Sequence, residues 1–292
     1  MVQINDYNVK EKSQWCPGCG NFAIVAGLKG ALSELGIETK DVVISSGIGC
    51  SGKTSHYLNT YGFEGLHGRS LPVASGIKLA NHKLTVIAEG GDGDGYGIGS
   101  GHFLHIMRRN YDLTYIVHDN QIYGLTTGQA SPTTQLGMKT KTTPGGVIEK
   151  PFNPIATAIV SGATFVARVF AGDGAHMKMI LKEAIAHKGF ALVDVFQPCV
   201  TFNKLNTYDF FTKRVYKLQD AGHKTDDRMA AMEKAMEAEK TNYEKLPIGV
   251  FYKENRPTYE DSLTMIREKS LVEQQNSLVG AVDLSDIYED LE

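Results

Sequence analysis

Short runs rich in β-branched and other apolar residues alternate with stretches whose apolar positions recur every three or four residues, and this alternation limits the chain to few folds. The candidate strands are residues 41–46, 84–88, 113–118, 164–169 and 190–196. Most are apolar nearly throughout, as strands covered on both faces must be. Candidate helices occupy residues 21–35, 71–81, 101–110, 154–160 and 175–187. The pattern predicts an α/β fold, a mostly parallel, doubly wound sheet with crossover helices. Ligands of such sheets bind at the carboxyl ends of the strands. The unusual residues of this chain fall there, in residues 47–54, 90–101, 119–128 and 198–203.

Composition divides the chain. Residues 224–292 carry 16 acidic side chains against nine Lys or Arg, although the whole chain is only −3. We therefore expect an α/β body over residues 1–223 and an acidic, partly helical, polar extension over 224–292. In the extension, residues 226–246 read as one charged helix and 248–252 as a short apolar run. Residues 129–153, rich in Thr, Gly and Pro without periodicity, read as a long functional or partner-covering loop. The mildly basic body is too weakly charged to suggest nucleic acid. No apolar run reaches the roughly 18 residues of a membrane span, and residues 1–13 are too polar for a signal peptide, so a soluble cytoplasmic protein is expected.

Gly91-Asp92-Gly93 follows a strand, and Asn120 follows the next strand after 26 intervening residues. Magnesium takes oxygen ligands in near-octahedral geometry, usually one or two from side chains and the rest from phosphates and water. Asp92 and Asn120 can supply the side-chain oxygens and a backbone carbonyl near Ile122 a third, while the glycines let main chain approach a diphosphate. This combination is the thiamine diphosphate signature. The dinucleotide fingerprint is absent from residues 90–101, and Tyr96 and Phe103 stand where a calcium loop needs oxygens. Two solvated aspartates in a flexible loop are the bland alternative. A sharper rival is residues 47–54, which match the phosphate loop of nucleotide hydrolases. That reading needs a long following helix and a partner acid, for which only Asp194 is available.

The four cysteines, Cys16, Cys19, Cys50 and Cys199, are too sparse for a disulfide scaffold. Cys16-Pro-Gly-Cys19 is a knuckle suited to zinc, a redox dithiol or an iron–sulfur cluster, or it is a pair of core thiols. Cys50 and Cys199 fall in loops at the same sheet rim, so all four thiols can meet. Lys53 and His67 are polar groups of that rim, although a lone His is often structural.

Six co-linear segments resemble the β subunit of the 2-oxoacid:ferredoxin oxidoreductases, most closely the 2-oxoglutarate branch. They are residues 15–20, 47–53, 66–69, 90–94, 118–126 and 197–199. The resemblance implies the thiamine-diphosphate-binding fold, with magnesium and one [4Fe–4S] cluster. It further implies an α subunit supplying the pyrimidine-binding part and the coenzyme A site. By position it makes Cys16, Cys19, Cys50 and Cys199 the cluster ligands, and Asp92, Asn120 and the Ile122 carbonyl the magnesium ligands. Ile48, Gly49, Cys50, Ser51, His67, Gly91, Gly93, Asp94, Gly124 and Leu125 become cofactor contacts, and Lys53 lies near the substrate carboxylate. The implied reaction is oxidative decarboxylation of a 2-oxoacid, or its reverse, with coenzyme A taking the acyl group and ferredoxin the electrons. Pyruvate or several 2-oxoacids are alternatives to 2-oxoglutarate, because Thr127 stands where some members have Lys. A P-loop hydrolase with structural zinc is the remote alternative.

Overall fold

The computed structural model describes residues 2–275. Residues 276–292, the last part of the expected extension, lie outside the described residues. One sheet organises the chain. Its strands are β1 (Val42–Ser46), β2 (Tyr61–Glu64), β3 (Thr85–Gly91), β4 (Leu113–Asp119), β5 (Phe165–Phe170), β6 (Phe190–Phe196), β7 (Val215–Lys217) and β8 (Leu246–Lys253), in the order β2-β1-β3-β4-β6-β5-β8-β7. All pairings are parallel except β5 with β8.

Helices cover both faces, as the continuous apolar strands require. Helices α1 (Asn21–Glu34) and α5 (Gly174–Ala186) bury Ile24, Leu28, Met177 and Leu181 against Ile44, Ile87, Ile116 and Val193. The opposite face receives α2 (Ser70–Ala80), α3 (Ser100–Arg109) and α4 (Pro154–Val160), where Leu71, Phe103 and Ile155 meet Val86, Ala88, Val117 and Leu192. Neighbouring strand residues such as Ile87 and Ala88 serve opposite cores, the period-two consequence of the pleat. Local chemistry sets helix starts: Asn153 accepts the Ala156 N–H with Pro154 at the first helical position, and Asp173 accepts the His176 N–H.

All five expected strands and all five expected helices occur within a few residues of their predicted bounds. Three strands are additional. Every residue of β2 is exposed, so it lacks the apolar signal that burial selects for. The single helix expected over residues 226–246 is broken. It forms α7 (Arg228–Ala235) and a short α8 (Glu237–Lys240), with the five-residue α6 (Tyr208–Thr212) preceding both. Asn242 and Tyr243 then adopt φ of 49° and 63°, and the chain turns into β8. The apolar run at 248–252 is the centre of β8, which pairs with β5 from Phe165↔Lys253 to Arg168↔Gly249. The change of composition near residue 224 therefore does not interrupt the sheet. Among the described residues no helix is long and apolar enough to cross a membrane.

Candidate active site

The loops leaving β1, β3, β4 and β6 gather at one rim. Residues 48–51, His67, residues 91–94, Asn120, Ile122, Gly124 and Leu125 line a single cleft there. Every expected diphosphate or magnesium contact is thus brought together. Lys53, expected near the substrate carboxylate, lines a neighbouring cavity and donates from Nζ to Gln14 Oε1 at 3.0 Å.

Asp92 begins the helical turn Gly93–Ile98 that leads into α3, so backbone N–H groups open toward the cleft. Its carboxylate is 1% exposed, and burial pushes its pKa up to about 6 against hydrogen bonds from Ser131 and Thr133. Thr133 Oγ1 lies 2.7 Å from both Asp92 Oδ2 and Asp119 Oδ1. One hydroxyl has one proton, so one carboxyl must donate to it. Burial and the charges of Asp194 and Asp92 hold Asp119 well above the usual carboxylate range. Thr133 thereby ties the two carboxyl groups together beneath the cleft. Sequence reasoning missed Thr133, one Thr among many in an aperiodic loop. Asn120 is fixed from both ends: Oδ1 accepts the Ile122 N–H at 3.1 Å and Nδ2 donates to Gln197 Oε1 at 3.1 Å.

Asp94 turns inward. Its Oδ1 accepts from Ile48 N at 2.9 Å and Gly68 N at 2.7 Å, and lies 2.7 Å from His67 Nδ1. A carboxylate only accepts, so Nδ1 carries the proton and Nε2 is left for the cleft. The carboxylate thereby ties the loop after β1 to the loop before α2. Gly47 permits this approach, since a Cβ there would sit 2.0 Å from Asp94 Oδ2. Gly47→Ala is expected to cost about 1–3 kcal/mol of stability through overpacking. It should also weaken thiamine diphosphate binding at least about tenfold, as loss of an orienting partner does; denaturant unfolding and titration calorimetry check the two effects.

All four cysteines line the neighbouring cavity, of about 290 Å³, and all are free thiols. The indole N–H of Trp15 donates to the Cys50 carbonyl at 2.7 Å, and Gly20 N donates to the Pro198 carbonyl at 3.3 Å. These bonds draw the knuckle onto the loops carrying Cys50 and Cys199. Burial pushes the Cys19 thiol up to about 12, and the thiols of Cys199, Cys50 and Cys16 add to the effect. Burial likewise raises Cys50, with Cys199 and Cys16 contributing. Among the described residues no three His, Cys, Asp or Glu side chains are grouped to hold one metal ion. The four cysteines instead line one cavity, a donor set suited to a polynuclear group. The two cavities share a wall formed by Cys50, Asn120, Gly124 and Leu125.

The phosphate-loop alternative does not match this geometry. Residues Ser51–His56 form a short, six-residue 3₁₀ helix rather than a long helix. Asp194, its only partner acid, is buried and engaged by Arg168 Nε at 2.7 Å and the Tyr96 hydroxyl at 2.7 Å.

Comparison with known proteins agrees with the geometry. The family model described as "Thiamine pyrophosphate enzyme, C-terminal TPP binding domain" matches residues 47–195. A second model, for the C-terminal part of the pyruvate ferredoxin oxidoreductase beta subunit, matches residues 199–268. The 2-oxoacid:ferredoxin oxidoreductase subunit beta of Saccharolobus solfataricus is 51% identical over 291 residues, covering 96% of this chain and 92% of that protein. The 2-oxoglutarate oxidoreductase subunit KorB of Mycobacterium tuberculosis is 43% identical over 198 residues, 68% of this chain and 53% of that protein. A solved structure, 2-oxoglutarate:ferredoxin oxidoreductase from Magnetococcus marinus with 2-oxoglutarate, coenzyme A and succinyl-CoA bound, superposes with a TM-score of 0.90 at 40% identity. It covers 100% of this chain and 96% of that one. The chain has the α/β thiamine-diphosphate-binding fold and belongs to the β subunits of the 2-oxoacid:ferredoxin oxidoreductases.

Proposed function

We propose that this subunit, completed by an α subunit, oxidatively decarboxylates a 2-oxoacid or runs the reverse carboxylation, with coenzyme A as acyl acceptor and ferredoxin as electron partner. The observation that carries the reading is the shared wall: a diphosphate-type cleft and a four-cysteine cavity meet at Cys50, Asn120, Gly124 and Leu125. Adjacent sites are what transfer of single electrons between two cofactors requires.

In this reading Asp92, Asn120 and the Ile122 carbonyl hold magnesium, and Cys16, Cys19, Cys50 and Cys199 hold one [4Fe–4S] cluster. The donor sets fit: two side-chain oxygens and a carbonyl suit a hard cation, and four thiols suit a cluster. Bound thiamine diphosphate supplies the electron sink that accepts the electron pair when carbon dioxide leaves. The chain's own residues position and exclude water. Thr133 orients the Asp92 carboxylate, Asp94 presents His67 Nε2 to the cleft, and Ile48, Ile122 and Leu125 supply its apolar lining. Lys53, expected near the substrate carboxylate, faces the cysteine cavity, where its charge lowers the Cys50 thiol against the effect of burial.

The substrate follows the relatives. The Magnetococcus neighbour supports 2-oxoglutarate, whereas the Saccharolobus relative, at higher identity, is named only for 2-oxoacids. Exposed Thr127, at φ 76°, brings no cation to hold a second carboxylate, which favours broad use or a contribution from the α subunit. The test is ferredoxin reduction by the αβ complex with 2-oxoglutarate and pyruvate side by side. We expect 2-oxoglutarate to be used, with a kcat/KM for pyruvate within about 100-fold of it, the range that modest differences in pocket contacts produce. No reduction with either acid would refute the reading.

A further inference from the structure

We propose that Gln197 is a positioning residue that links the magnesium-ligand amide to the cysteine cavity and sets the potential of the group held there. The inference rests on the reading that the four cysteines carry a cluster. Gln197 follows β6 and is 1% exposed. Its side chain is fully engaged. Oε1 accepts from Asn120 Nδ2 at 3.1 Å, while Nε2 donates to the Pro198 carbonyl at 2.8 Å and to Cys19 Sγ at 3.4 Å.

The direction of these bonds is fixed by main chain, not by choice of amide orientation. Turning Gln197 over would set its oxygen against the Pro198 carbonyl. Turning Asn120 over would set its amide nitrogen against the Ile122 N–H, which now donates to Oδ1. Both carboxamides are therefore locked, and the sequence runs Ile122 N–H to Asn120, Asn120 N–H to Gln197, Gln197 N–H to Cys19 sulfur. Each bond polarises the next in the same sense.

An N–H aimed at a ligating sulfur stabilises the extra negative charge of the reduced cluster and raises its potential. Cys19 also accepts from the Asn21 backbone N–H, but that bond belongs to the knuckle itself and does not reach the other site. Gln197 hydrogen-bonds both Asn120, which lines the cleft, and Cys19, which lines the cysteine cavity. A cation on Asn120 Oδ1 draws electron density from that amide and so strengthens every donor toward Cys19. Neither composition nor spacing reveals this role, since Gln197 is a polar residue between a buried strand and a proline.

The test compares wild-type and Gln197→Met αβ complexes, prepared anaerobically, by redox titration followed by electron paramagnetic resonance. Methionine keeps the volume and removes the donor. We expect unchanged iron content and a midpoint shifted to more negative potential, together with several-fold weaker magnesium-dependent thiamine diphosphate binding because the Asn120 amide is released. A merely structural role would lower thermal stability and leave the midpoint where it was. Gly20→Ala gives a second reading without deleting a polar group, since its Cβ would lie 2.9 Å from Gln197 Cγ and 3.2 Å from Nε2. It should shift the midpoint in the same direction by less. Equal midpoints in all three complexes overturn the proposal, as does loss of iron from both variants, which would make Gln197 a support of the cavity. A wild-type complex lacking iron would instead overturn the cluster reading itself.

Discussion

Asp92→Ala is expected to abolish magnesium-dependent thiamine diphosphate binding and with it all turnover. The loss of affinity should exceed about 100-fold, beyond the roughly 10–100-fold that removal of an outer-sphere partner costs. The fold itself should survive. Asp92 is a buried carboxyl whose pKa is pushed up to about 6, so in the cofactor-free protein its charged form is a burden. The folded carboxyl binds its proton more tightly than the unfolded one, so its favourable contribution is complete at low pH. That contribution is lost as pH rises through about 6. The alanine variant without cofactor should accordingly be no less stable than wild type above that pH. Magnesium needs the deprotonated carboxylate, so wild-type cofactor affinity should fall as pH drops through the same range. Calorimetric titration across pH, with the alanine variant as control, measures both effects.

Cys199→Ser should remove the iron–sulfur signal and lower ferredoxin reduction by more than about 100-fold, because a hydroxyl is a poor replacement for a soft thiolate. Cys199 is the buried member of the set, so serine cannot be compensated by solvent or by reorientation. Iron content should fall from about four per αβ pair, while thiamine diphosphate affinity changes by no more than a few-fold. Iron analysis and calorimetry together decide it, and full iron occupancy in the serine variant would show that Cys199 is not a ligand.

Much of this was legible in the sequence, for identifiable reasons. Strands such as Leu113–Asp119 are buried on both faces and therefore read as apolar runs, which made the doubly wound sheet visible. The placing of Asp92 and Asn120 at the cleft was legible because both directly follow strands. Convergence of the four cysteines was not derivable from spacing alone, since Cys50 and Cys199 lie 149 residues apart in sequence. It came from the resemblance, and the geometry then brought the four thiols to one cavity. Thr133 and Gln197 were illegible because each works through a hydrogen bond to a residue distant along the chain. Asp94 read as a cofactor contact and lines the cleft, but that its carboxylate also clamps two loops was not legible. The break after α8 was hidden because Asn242 and Tyr243 take left-handed backbone without a glycine to announce it.

The antiparallel β8 has a consequence for how the molecule is made. During synthesis, β5 has its partner β6 soon after residue 196 is added, but its other edge stays open until Leu246–Lys253 emerge. A nascent chain therefore carries an apolar, unpaired strand edge long after the loops that form the cofactor sites have left the ribosome. Closure of the sheet is therefore a late event in the life of the polypeptide.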